Sequence, residues 1–239
     1  MVAGPFGENG MKDLPIRDIF QWDSVNWSRS LRLWNKVLDS SPGIALEIGG
    51  REGGLALLAA LHGHQALCSD LENPEHIATP FHSRHNTGKL IRYASVNALD
   101  IPYKEEFDMV MVKSVITMIG RHGRKDLQQK ALDEIFAALK PGGYLLFAEN
   151  MKGSRLHVWL RNRFVPWGNE AGYLDWKEAS VWFASRGELQ FGTAGFFASF
   201  GRSESQRRML GKLDKITDWI WPLNMKYMVY GIVRKPLSA

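Results

Sequence analysis

Five residues, Ile44 to Ile48, run directly into the turn Gly49-Gly50-Arg51-Glu52-Gly53-Gly54, and the turn opens into the apolar segment Leu55 to Leu61. A strand, a glycine-rich turn and a helix in this order form a nucleotide-binding element. Glycine lets the backbone pass close to a ligand, and the helix start presents free N–H groups. Glu47 places a carboxylate at the strand end. A carboxylate there repels a pyrophosphate but suits a cationic or hydroxyl-rich ligand, so the nature of that ligand decides the function.

The chain around this element alternates. Gln65 to Asp70 reads as a second strand, and Asp70 follows Glu47 at the distance where an acidic residue can accept both ribose hydroxyls. Residues 71–90 are polar and turn-rich. Ile91 to Val96 is predicted as a third strand. Phe107 to Val112 is predicted as a fourth, nearly continuous in apolar residues, as a parallel strand covered on both faces should be. It ends at Lys113-Ser114. Lys125 to Leu139 carries one apolar face, and Lys140-Pro141-Gly142-Gly143 stops it before a fifth strand, Tyr144 to Ala148. This alternation predicts a doubly wound, mostly parallel sheet.

The flanks differ. All nine tryptophans lie outside residues 35–158. Residues 151–239 hold 14 Lys and Arg against 7 Asp and Glu, so the excess of positive charge lies in the last third. We read a lean core with an aromatic, partly basic cap. Before the core, Trp27, Leu31, Trp34 and Leu38 share a helix face, with Asp23 or Asn26 as its cap and Arg29 and Arg32 off the apolar stripe. After it, residues 151–172 have no clean period. A helix is predicted over 174–185 with Asp175 as cap, a strand over 191–200, an amphipathic helix over 209–221 and a last strand over 227–233. The expected organisation is one domain, 1–239: a helical cap (1–40), a cofactor-binding core (41–150), an inserted cap segment (151–190) and C-terminal strands with the amphipathic helix (191–239).

Composition narrows the classes. Apolar residues make up 45 % of the chain, enough for a substantial core. The single cysteine, Cys68, allows no internal disulfide and fits a reducing compartment. No apolar run reaches the ~20 residues of a membrane span, and the N-terminal residues lack a signal-peptide pattern. A cytoplasmic protein is expected. Five histidines fall within 62–85, but without ligand spacing, so no metal is expected.

Taken in order, these features resemble a class I S-adenosylmethionine-dependent methyltransferase, with a seven-stranded Rossmann-like sheet. The resemblance rests on Glu47-x-Gly49-x-x-x-Gly53, on Asp70, on Asn97-Ala98 before Ile101-Pro102, and on Leu139-Lys140-Pro141-Gly142-Gly143 before strand five. The final strands would form the family's reversed hairpin at the sheet edge. Two positions depart from the family pattern. Arg51 stands where the middle glycine is usual, which implies an altered turn. Asn97 stands where aspartate is common, which implies a neutral contact with adenine.

The resemblance implies S-adenosylmethionine as cofactor, held by Glu47, Gly49, Gly50, Gly53, Asp70, Asn97, Ala98 and Lys113. Glu47 would support the loop or meet the donor's ammonium. Lys113 would contact the donor, orient an anionic acceptor or support the loop. His122 and Glu149 are further candidates for a base, but none is singled out. The acceptor pocket is expected from 13–38, 114–124 and 151–186. The aromatic cap suits a small-molecule, sugar or lipid-linked glycan acceptor, and the basic helix over 209–221 suits peripheral membrane contact. Other readings are an NAD-dependent oxidoreductase, for which the second glycine is missing, and a non-catalytic nucleotide-binding or scaffold module. Nucleic acid is disfavoured, because no base-methylation motif is present.

Overall fold

The computed structural model describes residues 14–164 and 172–237. Among these, seven strands form one sheet in the order β3-β2-β1-β4-β5-β7-β6. They are β1 (Ile44–Ile48), β2 (Gln65–Asp70), β3 (Ile91–Ser95), β4 (Phe107–Lys113), β5 (Leu139–Asn150), β6 (Glu188–Ala194) and β7 (Met228–Arg234). The first five are parallel, and β7 enters antiparallel between β5 and β6. Ten α-helices accompany them: α1 (Ile16–Phe20), α2 (Ser24–Trp27), α3 (Leu31–Leu38), α4 (Gly54–Leu61), α5 (Glu75–Arg84), α6 (Val115–Ile119), α7 (Lys125–Ala138), α8 (Arg155–Phe164), α9 (Trp176–Ala184) and α10 (Glu204–Thr217).

The strand alternation divides the core in two. On β4, Met109 and Met111 face a cluster with Phe20, Trp27, Trp34 and the apolar residues of α4. Val110 and Val112 face the other cluster, with Leu132 and Ile135 of α7 and Phe183 of α9. Both faces are covered, which is why the strand reads as an unbroken apolar run.

Several expectations need correction. Residues 71–90 are not mainly turns: they contain α5. Its inward positions are Ala78, Phe81 and His82, and a buried histidine in an apolar slot hides the period. The predicted strand over 191–200 is β6, which starts at Glu188 and stops at Ala194, where Gly195 turns left-handed (φ +75°). Strand β5 begins at Leu139, which pairs with Phe107; the Lys140–Gly143 stop, with Gly142 left-handed (φ +78°), is the irregularity before Tyr144 pairs with Met109. Asp23 stands at the N-cap of α2 but its side chain makes no capping bond, and Asn26 lies within that helix. Asp23 accepts from Tyr227 Oη, and Asn26 Nδ2 donates to Asp214 and Tyr227. Arg29 pairs with the largely buried Asp218, while Arg32 is exposed. The amphipathic helix predicted over 209–221 is α10, begun five residues earlier by the Ser203 cap. Asp175 caps α9 as expected, accepting from Lys177 N–H. Residues 1–13 and 165–171, which include part of the expected cap segment, lie outside the described residues.

Candidate active site

The ends of β1, β2, β3 and β4 meet at a cavity of about 940 Å³. Open parallel sheets bind ligands at this edge, where strand order reverses between β1 and β4. Its wall includes Glu47, Gly49, Gly50, Asp70, Asn97, Ala98 and Lys113, residues spread over 67 positions of sequence. Gly53 is not on this wall. It lies behind it, with a left-handed backbone (φ +75°) pressed against the His82 ring and Cys68 Sγ.

The turn is built from its own backbone. Gly50 N–H donates to Ser69 O (2.8 Å) and Gly53 N–H to Gly50 O (2.7 Å). Gly49 has φ +68°, and a Cβ there would stand 2.7 Å from Val115 Cγ2. Arg51 is itself left-handed (φ +47°). A side chain in that conformation costs about 1–2 kcal/mol, and Asp70 holds the bend by accepting Arg51 N–H at 3.0 Å. The turn therefore bends left-handed at Arg51 and is pinned there from the next strand.

Glu47 holds the loop. Its two carboxylate oxygens accept Leu55 N–H and Ala56 N–H, both at 2.9 Å, which satisfies the first turn of α4. Burial pushes its pKa up, and those hydrogen bonds oppose the rise. Glu149, at the end of β5, does the same for α6. It accepts Ile116 N–H (2.9 Å), Thr117 N–H (3.0 Å) and Thr117 Oγ1–H (2.7 Å). Burial pushes it up to about 7.

Lys113 lies between these two carboxylates in the fold. Its Nζ donates to Phe20 O (3.2 Å) and stands 5.4 Å and 5.2 Å from the ring centroids of Trp22 and Trp27. Burial lowers its pKa to about 8, opposed by Glu47 and Glu149. His122 is exposed on a left-handed turn and does not line the cavity.

Asp70 uses one oxygen on Arg51 N–H and the other on Leu71 N–H (2.7 Å). Each oxygen keeps a further lone pair, and the residue is half-buried at the cavity rim. Asn97 Oδ1 accepts Leu99 N–H (2.9 Å), and its side chain is exposed beside buried Ala98. A ribose and an adenine edge fit this donor and acceptor set. Behind the turn, His82 is buried and its pKa is lowered by burial. Its Nε2–H donates to Gly53 O and Nδ1 accepts from Tyr93, both at 2.9 Å; these bonds assign the tautomer. Among the described residues, no three His, Cys, Asp or Glu side chains gather as a metal site.

The cavity is also lined by Trp22, Met118, Tyr173 and Arg207. The first three fall in segments expected to form the acceptor pocket. Arg207 does not: it lies on the early turns of α10, before the apolar stripe that signals that helix in the sequence. The Arg207 guanidinium stands 5.8 Å from the Trp22 ring centroid, and Arg161 stacks on Tyr173 at 3.9 Å.

A family profile described as a methyltransferase domain matches residues 46–147. No curated protein matches the chain by sequence. Solved structures do resemble it. The MccD protein is 14 % identical over 87 % of this chain and 96 % of its own, with a TM-score of 0.62. Phosphoethanolamine N-methyltransferase 2 of Haemonchus contortus, in complex with S-adenosyl-L-methionine, is 17 % identical with a TM-score of 0.61; the match covers 91 % of this chain and 56 % of that one. Geranyl diphosphate C-methyltransferase of Streptomyces coelicolor A3(2) is 13 % identical over 87 % of this chain and 76 % of that one, with a TM-score of 0.60. At these identities the structures establish the fold. Together with the domain match over residues 46–147, the sheet order is that of the Rossmann-like S-adenosylmethionine-dependent methyltransferase fold. Residues 46–147 carry the methyltransferase domain, and S-adenosylmethionine is the cofactor.

Proposed function

We propose that this enzyme methylates a small-molecule acceptor, with sugars and lipid-linked glycans included in the class, held beneath the cap formed by the N-terminal helices and the C-terminal third. The observation that carries this is the continuity of one cavity from Gly49, Asp70 and Asn97 to Trp22, Tyr173 and Arg207. Its volume lies toward the upper end of the ~300–1,000 Å³ common for small-ligand sites. When bound, the cofactor supplies an electrophilic methyl group. The chain's own residues have narrower tasks in this reading. Asp70 accepts the ribose hydroxyls, Gly49 and Gly50 leave room for the amino-acid part, and Asn97 and Ala98 border the adenine. Glu47 and Gly53 keep the turn in shape. Lys113 ties α1 to β4 and stands against Trp22 on the cavity wall and the buried Trp27 behind it, so it positions rather than reacts. Trp22 offers a ring face and Arg207 a cation to the acceptor, a pair suited to an amphiphilic molecule with an anionic group. Positioning alone can supply several kcal/mol of barrier reduction, up to about 7–11.

The test has two parts. Calorimetry with S-adenosylhomocysteine should show binding that Asp70→Ala weakens by about tenfold or more; undiminished affinity would refute the ribose assignment. Labelled methyl transfer into fractionated extracts should place label in the small-molecule or lipid fraction. Label confined to protein or nucleic acid would overturn the acceptor reading. A location peripheral to a membrane belongs to the same proposal. No helix among the described residues is long and apolar enough to cross one.

A further inference from the structure

Helix α10 is mounted with its polar side inward. Gly211 and Asp214, and Asp218 just after the helix, are buried. Asp214 Oδ1 accepts Phe196 N–H and Phe197 N–H, and Oδ2 accepts Ala198 N–H and Asn26 Nδ2–H, at 2.8–3.1 Å. Asp218 accepts Gly195 N–H and pairs with Arg29. Glu204, at the start of the helix, accepts Asp23 N–H and Ser24 N–H. Every carboxylate of α10 and its following turn is thereby engaged with the protein. The opposite face carries Met209 (64 % exposed), Leu213 (41 %) and Ile216 (69 %), continued by Trp219 (84 %) and Ile220 (57 %). These residues recur at helical spacing, and no described residue covers them. Lys212 and Lys215 are exposed along the same helix.

We infer that the outward face of α10 is a docking surface for an anionic lipid bilayer. An apolar stripe containing an exposed tryptophan and edged by lysines, with no free carboxylate on the helix, matches an acyl boundary beneath negatively charged headgroups. At 14 residues, α10 spans about 21 Å, too short to cross a bilayer and suited to lie in its interface. The helix cannot roll to hide the stripe, because doing so would strip Asp214 of four hydrogen bonds. Arg207, one turn before Leu210 on the same helix, lines the acceptor end of the cavity. Arg207 shares the inward side with Asp214, so docking leaves that cavity wall one helix diameter, ~10 Å, behind the lipid surface. This deepens the lipid-linked branch of the proposed function and rests on it only for the identity of the acceptor; docking itself is measured without methyl transfer.

The test uses the full chain and sedimentation with vesicles of phosphatidylcholine, with and without phosphatidylglycerol. Binding is expected only to the anionic vesicles, weaker at high salt. Ile216→Ser with Trp219→Ser should lower the partition coefficient about tenfold or more. Lys212→Glu with Lys215→Glu should remove the preference for anionic lipid. Val181→Ser, at an exposed apolar position on α9, should change nothing. Absence of vesicle binding by the native chain, or binding that survives the Ile216/Trp219 double change, overturns the inference. So does a dimer, seen by analytical ultracentrifugation without vesicles, that the same double change converts to monomer, since a second copy would then cover the face. S-adenosylhomocysteine binding is followed in parallel. Its loss in the native chain counts against the cofactor reading, while vesicle binding alone decides docking.

Discussion

Helices α7 and α10 have the same length, 14 residues, and opposite mounting. Helix α7 turns Leu132, Ile135 and Phe136 onto the sheet and its charges outward. Helix α10 turns Asp214 inward, with Asp218 following, and its apolar stripe outward. Periodicity reports that a helix has two faces. It does not report which face is buried, and the usual rule holds only where the neighbour is apolar. Beneath α10 the neighbour is a run of backbone N–H groups at 195–198, released where Gly195 turns out of β6. Carboxylates satisfy those donors, and leucines could not.

The contrast can be broken at several points. The largest effect is expected from Asp214→Ala, which leaves three backbone N–H groups and the Asn26 amide without their acceptor. The cost should be about 3–5 kcal/mol, read by urea unfolding. Next comes Leu132→Ala in α7, at about 2–5 kcal/mol, set beside Ile216→Ala in α10, at about 0.5 kcal/mol or less. Equal costs for the two would abolish the distinction.

A pH effect follows from Asp23, which burial first, and then the charges of Asp214 and Glu204, push up to about 8. The folded state holds that proton more tightly than the unfolded chain. The contribution is therefore complete below the ordinary carboxylate range, is lost as pH rises toward about 8, and changes little above it. Asp23→Asn removes the ionisation, so its melting temperature relative to the native chain should climb between pH 5 and 8. A flat difference would refute this. A further small effect concerns the glycine turn. Arg51→Gly relieves a left-handed side chain and should change stability by about 1 kcal/mol or less, with strain relief offset by the freer unfolded chain.

How much of this was legible in the sequence depended on what each segment packs against. Strands β1 and β4 and helix α7 were readable, because apolar partners on both faces of a parallel sheet leave long apolar runs and a clean helical period. The cavity wall from Glu47 to Lys113 could be collected for the same reason: strand ends in such a sheet converge. Helix α5 stayed hidden, since His82 fills an inward slot and bonds to Gly53 O and Tyr93. The cap was hidden more deeply. Asp23, Asn26, Asp214 and Tyr227 make one buried polar cluster from segments about 200 residues apart, and no local pattern marks partners at that distance. Arg207 was missed because a helix announced by its apolar stripe appears to begin at that stripe.

Glu47 carries one last consequence. A helix start beneath a glycine turn is the natural seat for a phosphate, with bare amides and a positive dipole end. Here the protein's own carboxylate already sits in that seat, bound to Leu55 N–H and Ala56 N–H. A bridging diphosphate would have to evict a buried side chain and then face it. The protein has plugged its own anion hole, and this internal plug works against a dinucleotide's diphosphate at the start of α4.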